Sequence, residues 1–158
     1  MESNLSLEVL NNVSEIEIVY RKKVTCKVSE RPLIQTAKDC YDVLLHYWNQ
    51  DTIEILEEFK VLFLNRAQRV LQIFPVSQGG MTGTVADPRL ILAAALRVGA
   101  VNLILCHNHP SGSLKPSVAD EQLTFKIKMA AQYFDIKVLD HIIITSESYY
   151  SFADEGLL

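Results

Sequence analysis

The spacing of apolar residues changes along the chain. Some segments have the period of a helix and others are short apolar runs typical of strands, and these changes predict the secondary structure. Over 36–49, 89–98 and 117–134 apolar residues return every three or four residues, as on a helix with one buried face. A residue type that favours the N-cap position stands at or just before the start of each helical segment: Thr36, Asp87 and Ser117. Gly99 follows the second segment as a C-terminal stop signal.

Shorter apolar runs lie between the helical segments and predict buried strands. These runs cover 54–64, 70–76, 101–106, 136–144 and a short last stretch at 149–152. A predicted turn at 65–68 lies between the first two runs, which therefore predict a hairpin. Helices that alternate with buried strands predict an α/β fold, a three-layer α/β/α sandwich around a mixed sheet.

The chain has 158 residues, which predicts one main domain. We expect residues 1–30 to form an N-terminal extension with short strands at 16–20 and 24–28, and residues 31–158 to form the domain. The glycine-rich stretch 78–84 lacks the Gly-Lys-Ser/Thr ending of a phosphate-binding loop. Two interpretations of this stretch remain open: it forms a mobile rim of a site, or it is a simple turn.

Composition and charge narrow the classes of partner. Apolar residues make up 49% and charged residues 22%, and no apolar run approaches the ~20 residues that span a membrane. A net charge of −4, with one short basic cluster at 21–23, argues against a nucleic-acid partner. Three widely spaced cysteines and no secretory leader predict free thiols and a cytoplasmic protein. The oligomeric state is left open.

Three residues with metal-binding side chains surround the loop after the strand at 101–106. His107 and His109 are one residue apart, so their side chains project to the same side of a strand. Asp120 lies about one turn into the next predicted helix. If the loop between them folds back, two imidazoles and one carboxylate converge, which is the ligand count of a catalytic zinc site whose fourth position holds water.

The same residues also have a purely structural interpretation. Ser117 and Asp120 have the spacing of a helix capping box, with Asp in place of the usual Glu. Both roles can coexist. Asn108 points away from the two histidines on a strand, and we expect it to brace a loop.

The complete spacing is more specific than its parts. His-x-His, seven residues, Ser, two residues and Asp matches the motif of JAMM (MPN-domain) metalloproteases. The string 107–112, with Pro116-Ser117 and Asp120, resembles the bacterial RadC family, and the resemblance continues at 88–89, 138–141 and 151–152. It implies a cytidine deaminase-like fold, one Zn²⁺ per chain and a metal-dependent hydrolase. It also implies that Ser117 stabilises an oxyanion.

The JAMM pattern requires a general base, a glutamate on an upstream strand. Glu54, Glu57 and Glu58 are the candidates. Alternation puts Glu57 on the apolar face of Phe59, where a carboxylate has a raised pKa that suits a proton shuttle. Glu58 shares a face with Lys60, which we expect to face solvent. The RadC resemblance also favours a glutamate two residues before an aromatic residue, so Glu57 is preferred over Glu58.

These features predict a zinc-dependent hydrolase that attacks the amide carbonyl of a peptide or an isopeptide-linked protein. In the RadC-like match His141 follows Asp140, and we interpret it as a residue behind the ligands and not as a fourth ligand. One alternative is a catalytically inactive zinc-binding interaction module. Another is a nucleic-acid-binding protein associated with DNA repair, an association that rests on the family label alone.

Overall fold

The computed structural model of the chain describes residues 26–79 and 86–158. Within these residues it has three α-helices: α1 (Ala37–Tyr47), α2 (Pro88–Val98) and α3 (Val118–Gln132). It has five strands: β1 (Glu58–Leu64), β2 (Val70–Gln78), β3 (Asn102–Asn108), β4 (Lys137–Ile144) and β5 (Tyr149–Ser151). The predicted strand at 16–20, residues 24–25 and residues 80–84 of the glycine-rich stretch lie outside the described residues. The described part of the strand predicted at 24–28 is not a strand, and Val28–Glu30 form a short 3-10 helix.

The five strands form one mixed sheet in the order β2-β1-β3-β4-β5. β3 and β4 are parallel, and the other neighbouring pairs are antiparallel. The parallel pair is joined by α3, so the N-terminus of α3 lies near the carboxyl end of β3. In open α/β sheets this end of a parallel strand is where ligands usually bind.

Helices cover both faces of the sheet. A first core lies between the sheet and helices α2 and α3 and includes Phe63, Ile91, Leu105 and Ile127. A second core lies between the sheet and α1 and includes Leu44, Trp48, Leu62 and Ile142. The predicted three-layer α/β/α sandwich is therefore confirmed.

The helix boundaries follow the local signals. The Thr36 hydroxyl accepts a hydrogen bond from the N–H of Asp39, which closes a capping box at the start of α1. Asp87 caps α2 in the same way by accepting from the N–H of Arg89. Gly99 ends α2 at φ +67°, a left-handed conformation that glycine adopts without steric cost.

Two predicted boundaries or faces are wrong. Residues 51–55 form turns, and β1 begins only at Glu58, so the strand predicted from residue 54 starts later. The helical period over 89–98 predicts Leu90 on the inward face of α2, but Leu90 is exposed and Leu92 is buried. Both are apolar, and contact with the sheet decides which of them is covered.

Lys60 also differs from the expectation that it faces solvent. Its side chain is 10% exposed, and its Nζ lies 2.6 Å from a carboxylate oxygen of Glu58. The same ammonium lies 3.6 Å from the centroid of the Trp48 ring, a cation–π contact within the second core. The long side chain of Lys60 can therefore lie on a buried face, because a carboxylate and an aromatic ring stabilise its positive charge.

The cysteines are free, as predicted. Cys40 and Cys106 are buried and Cys26 is partly exposed. Burial raises the pKa of the thiols of Cys40 and Cys106, so both behave as apolar core residues. Across 26–79 and 86–158, no helix has both the length and the apolar character needed to cross a membrane.

Candidate metal centre

The two histidines lie at the carboxyl end of β3. His107 belongs to the strand, and the N–H of His109 donates to the carbonyl of Ile144 at 3.0 Å, which continues the pairing with β4. Their side chains therefore share one face. The two Nε2 atoms lie 2.9 Å apart.

The loop after His109 folds back, as the site requires. Gly112 adopts φ +77°, and its N–H donates to the carbonyl of His109 at 3.0 Å, which closes a turn. Nδ1 of His109 lies 2.6 Å from the carbonyl oxygen of Ser113. Since a carbonyl can only accept, Nδ1 carries the proton, and Nε2 keeps a free lone pair.

Asp120 has both roles that the sequence allows. Its Oδ2 accepts from the N–H and from the hydroxyl of Ser117, each at 2.7 Å, so it caps α3. Its Oδ1 lies 3.3 Å from Nε2 of His107, and its Oδ2 lies 3.8 Å from Nε2 of His109. The helix cap thus aims the carboxylate at the two imidazoles.

The geometry of these three residues fits a divalent metal ion. One ligand atom from each of them lies within 4.8 Å of the others. Zinc–ligand bonds of about 2.0–2.1 Å in a tetrahedron separate ligand atoms by about 3.4 Å, and the distances of 2.9, 3.3 and 3.8 Å lie on both sides of that value. When both Nε2 atoms are unprotonated, as metal ligation requires, the two lone pairs and the carboxylate would repel each other unless a cation lay between them.

The cluster is closed on one side and open on the other. The side chain of His107 is 1% exposed, whereas those of His109 and Asp120 are 16% and 17% exposed. A metal ion held here would keep a side that water and a substrate can reach. That is the arrangement of a catalytic site, whereas a structural zinc site is closed by protein ligands.

Asp120 is the most strongly perturbed carboxylate of the site. Burial by itself raises the pKa of this carboxyl group. The neighbouring His107 and the two hydrogen bonds from Ser117 outweigh burial and hold the pKa of Asp120 well below its ordinary value. The group is therefore ionised at neutral pH, as a metal ligand must be.

His141 lies behind His107 and does not join the ligand group. Its Nε2 is 2.8 Å from Nδ1 of His107, and its Nδ1 is 2.5 Å from Oγ1 of Thr124. The ring is fully buried, and burial, followed by the effect of the adjacent His107, lowers its pKa well below the ordinary value. This agrees with the interpretation from sequence.

Thr124 was not identified from the sequence. Its hydroxyl donates to the carbonyl of Asp120 at 2.6 Å, an i to i−4 bond that serine and threonine commonly make within helices. The available signal was a threonine four residues after the ligand Asp120. That signal is weak, because only the tertiary structure brings His141 to the same hydroxyl.

The structure separates the three candidate glutamates. Glu54 is exposed in the turn at 51–55, and its carboxylate accepts from the hydroxyl of Ser146 at 2.7 Å. Glu58 lies in β1 with its carboxylate against Lys60, on the face of the second core. Glu57 is half-buried and immediately precedes β1. Its carbonyl accepts from the N–H of Gly79 at 2.8 Å, which extends the β1–β2 ladder to this residue.

Ser117 is exposed at the start of α3. Its hydroxyl proton points to Oδ2 of Asp120, and its Oγ accepts from the N–H of Asp120 at 3.2 Å. The residue thus lies beside the candidate metal ligand Asp120 and serves as the helix cap.

The fold and the site together define a class: three-layer α/β domains with a His-His-Asp group at the carboxyl end of a central strand. A family profile described as the RadC-like JAB domain matches residues 34–157. The chain belongs to this family.

Related proteins support the assignment. The chain is 55% identical over 101 residues to a UPF0758 protein of Flavobacterium johnsoniae, covering 64% of this chain and 44% of the relative. It is 38% identical over 148 residues to a UPF0758 protein of Leptothrix cholodnii, covering 92% and 65%. A UPF0758 protein of Porphyromonas gingivalis is 45% identical over 103 residues, covering 65% and 45%. The chain thus spans about half to two thirds of the length of these relatives.

Proposed function

We propose that this protein is a zinc-dependent hydrolase that cleaves an amide bond of the peptide or isopeptide type. The observation that carries the proposal is the convergence of His107, His109 and Asp120 on one point beside solvent. Neutral imidazole nitrogens and an ionised carboxylate are the donor set of catalytic zinc sites. Membership of the RadC-like JAB domain family agrees with a metal-dependent hydrolase.

His107, His109 and Asp120 would hold the ion. Zinc held by such ligands lowers the pKa of water toward about 7 and thereby supplies a nucleophile at neutral pH. The N–H and the hydroxyl of Ser117 both donate to the carboxylate of Asp120 and favour its ionised form. The Nδ1–H bond of His109 to Ser113 keeps its Nε2 free for the metal.

Glu57 is the general base in this proposal. Phe59 pairs with His107 across β1 and β3, and the two rings stack with centroids 6.0 Å apart. Glu57 precedes Phe59 by two residues along the extended ladder, so alternation assigns its side chain to the face of the histidines. The carboxylate of Glu57 takes a proton from the attacking water and passes it to the nitrogen of the leaving amine.

Ser117 stabilises the oxyanion in this proposal. Its hydroxyl lies at the N-terminus of α3, where the helix dipole also favours negative charge. The hydroxyl leaves Oδ2 of Asp120 and donates to the oxygen of the attacked carbonyl as negative charge develops there. The N–H of Ser117 keeps the cap on Asp120 during this exchange.

The substrate class is a peptide or an isopeptide-linked protein. A net charge of −4 does not favour a nucleic-acid substrate. The relatives carry names that state no activity, so the proposal depends on the chemistry of the site. An interaction module without catalysis is the rival that the experiment must exclude.

The test compares Glu57→Gln with Glu58→Gln. Both variants remove one negative charge from adjacent positions, but only Glu57 belongs to the proposed site. We expect Glu57→Gln to keep about one zinc per chain and to lose turnover by about 10²–10⁴-fold, the usual contribution of a general base. Glu58→Gln should keep both, because Glu58 pairs with Lys60 on the opposite face.

Zinc is measured by elemental analysis, and turnover is measured as amine release from fluorogenic peptides and ε-lysine-linked isopeptides. A His107→Ala/His109→Ala variant should lose both zinc and turnover. Full activity of Glu57→Gln would remove Glu57 from the role of base. A zinc-loaded wild type that cleaves none of these substrates would favour the interaction module.

A further inference from the structure

A chain of hydrogen bonds runs from the backbone of α3 to the buried metal ligand. The Thr124 hydroxyl contacts the carbonyl of Asp120 at 2.6 Å and Nδ1 of His141 at 2.5 Å. Nε2 of His141 contacts Nδ1 of His107 at 2.8 Å. His107 then turns its Nε2 toward Oδ1 of Asp120 at 3.3 Å. The contacts therefore start and end at the same metal-ligating residue.

The position of each proton in this chain follows from its first acceptor. The Asp120 carbonyl can only accept, so the Thr124 hydroxyl donates its single proton to it. The oxygen of Thr124 must then accept from Nδ1–H of His141. A neutral imidazole has one N–H, so Nε2 of His141 accepts from Nδ1–H of His107. Nε2 of His107 is left without a proton, as metal ligation requires.

His109 has the same tautomer, with its proton on Nδ1, but a single contact fixes it. Its Nδ1–H donates to a backbone carbonyl, that of Ser113. A backbone carbonyl cannot reverse its role, so this ligand is locked by local structure. His107 instead depends on His141, whose ring can carry its proton on either nitrogen. On the side away from the metal, the hydroxyl of Thr124 is the contact of His141 that selects between the two forms of its ring.

The packing holds His141 in the orientation that this chain requires. Its ring stacks on Phe152 with centroids 4.7 Å apart and lies against Phe59 with centroids 5.6 Å apart. The N–H of Phe152 also donates to the carbonyl of His141 at 3.0 Å. The ring is clamped between two aromatic side chains, so a change of tautomer is easier for it than a change of orientation.

We propose that Thr124 and His141 are positioning residues that set the tautomer of His107, and that the hydroxyl of Thr124 thereby controls metal affinity without touching the metal. This inference rests on the metal centre of the proposed function. It adds a polar chain from α3 through β4 to β3. In most metal sites a carboxylate or a backbone carbonyl orients the ligating histidine. Here a second histidine and a threonine orient it instead.

The test replaces Thr124 by two residues that separate the effect of its shape from the effect of its hydroxyl group. Thr124→Val keeps the shape and removes the hydroxyl, and Thr124→Ser keeps the hydroxyl. In Thr124→Val, Nδ1–H of His141 has no acceptor, so the ring proton moves to Nε2 and donates to Nδ1 of His107. The proton of His107 is then on Nε2, where it competes with the metal.

We expect zinc affinity, measured by competition with a chelator, to fall about 10–100-fold in Thr124→Val, the usual cost of losing such a partner. Thr124→Ser should bind zinc like the wild type. The ¹⁵N resonances of the His141 ring in the metal-free protein should report Nδ1–H in the wild type and Nε2–H in Thr124→Val. This readout does not depend on enzymatic activity.

A second pair of variants keeps the test decisive if Thr124→Val does not fold. His141→Gln offers an amide oxygen to Nδ1–H of His107 and should bind zinc more tightly than His141→Leu, which offers no acceptor. Equal zinc affinity of the wild type, Thr124→Val and His141→Leu would overturn the inference, as would Nε2–H on His141 of the wild type. If the wild type binds no zinc, the proposed function fails, while the tautomer exchange is still measured.

Discussion

Asn108 is a fully buried amide at the end of β3, next to both histidines. Its Nδ2 donates to the carbonyl of Ile53 at 2.6 Å and to that of Leu56 at 2.9 Å. Its Oδ1 accepts from the N–H of Glu58 at 2.7 Å. These three bonds attach the segment that carries Glu57 to the strand that carries the two candidate histidine ligands. The expectation that Asn108 braces a loop is confirmed.

Replacement of Asn108 by Ala should therefore destabilise the protein strongly. One buried carbonyl, one part-buried carbonyl and one part-buried N–H lose their partner, and we expect the free energy of unfolding to fall by about 2–4 kcal/mol. Urea denaturation of Asn108→Ala measures this change.

Asn102→Ala is the matched control, because Asn102 lies in the same strand and makes one long side-chain hydrogen bond, 3.4 Å to the carbonyl of Asn65. It should cost less than about 1 kcal/mol. Equal costs for the two asparagines would show that the brace contributes nothing beyond an ordinary surface contact.

At the scale of elements, α1 and α3 begin with the same kind of capping box. In α1 the carboxylate of Asp39 accepts from the N–H of Gln35 and of Thr36 at 3.0 and 2.9 Å. In α3 the carboxylate of Asp120 accepts from the N–H and from the hydroxyl of Ser117, and it also faces the histidines. One local motif thus serves as a helix start in both places and supplies a candidate metal ligand in only one.

The cap of α1 predicts a pH dependence of stability. The bond from the N–H of Gln35, followed by those from Thr36, lowers the pKa of Asp39 below its ordinary value. A lowered pKa means that the ionised group stabilises the fold above the unfolded value of about 3.9. This contribution is lost as the pH falls through the folded value.

Asp39→Asn should therefore be less stable than the wild type near pH 6, and the difference should shrink as the pH approaches 2. Urea denaturation of both proteins across this range measures the difference. A difference that stays constant with pH would assign it to the loss of the cap geometry and not to the charge of Asp39.

The register of β4 decides which side chain reaches the metal centre from behind. The pairing of β4 with β3 shifts by one residue after Val138, so that Leu139 is the extra residue. Val138 packs in the first core, and strict alternation from it would turn His141 toward the second core. The shift instead pairs His141 with Leu105, on the face of His107.

At the scale of the whole molecule, the candidate ligands connect the central strand to a helix. His107 and His109 belong to the end of β3, whereas Asp120 belongs to the first turn of α3. A metal ion bound to all three would join them across the loop between them. The unfolded chain does not hold these side chains together, so the metal should bind the folded state preferentially.

Zinc should therefore raise the melting temperature. At a free zinc concentration 100 times the Kd, linkage predicts stabilisation by about 2.7 kcal/mol, which is about 5–10 °C for a domain of this size. Differential scanning calorimetry with zinc, and again after chelation, measures the shift.

The shift should reverse on chelation and be absent from His107→Ala/His109→Ala. A similar shift in that variant would show that zinc stabilises the protein at another site.

Much of the fold could be predicted because its signals are local or periodic. The cap of α1, the stop at Gly99 and the buried runs of β3 and β4 act within a few residues, and the structure agrees with them. The predicted ligands His107, His109 and Asp120 meet because strand alternation and a capping box are also local rules.

Tertiary structure alone decided the features that depend on contacts between distant segments. Lys60 is buried because Trp48 and Glu58 stabilise its positive charge. His141 faces His107 because the register of β4 shifts by one residue. Thr124 became part of the site only because α3 and β4 meet behind His107. The sequence by itself determined which side chains could bind a metal, since that follows from residue type and short spacing. The tertiary structure determined what orients them, since a hydrogen bond between two elements exists only when both are packed.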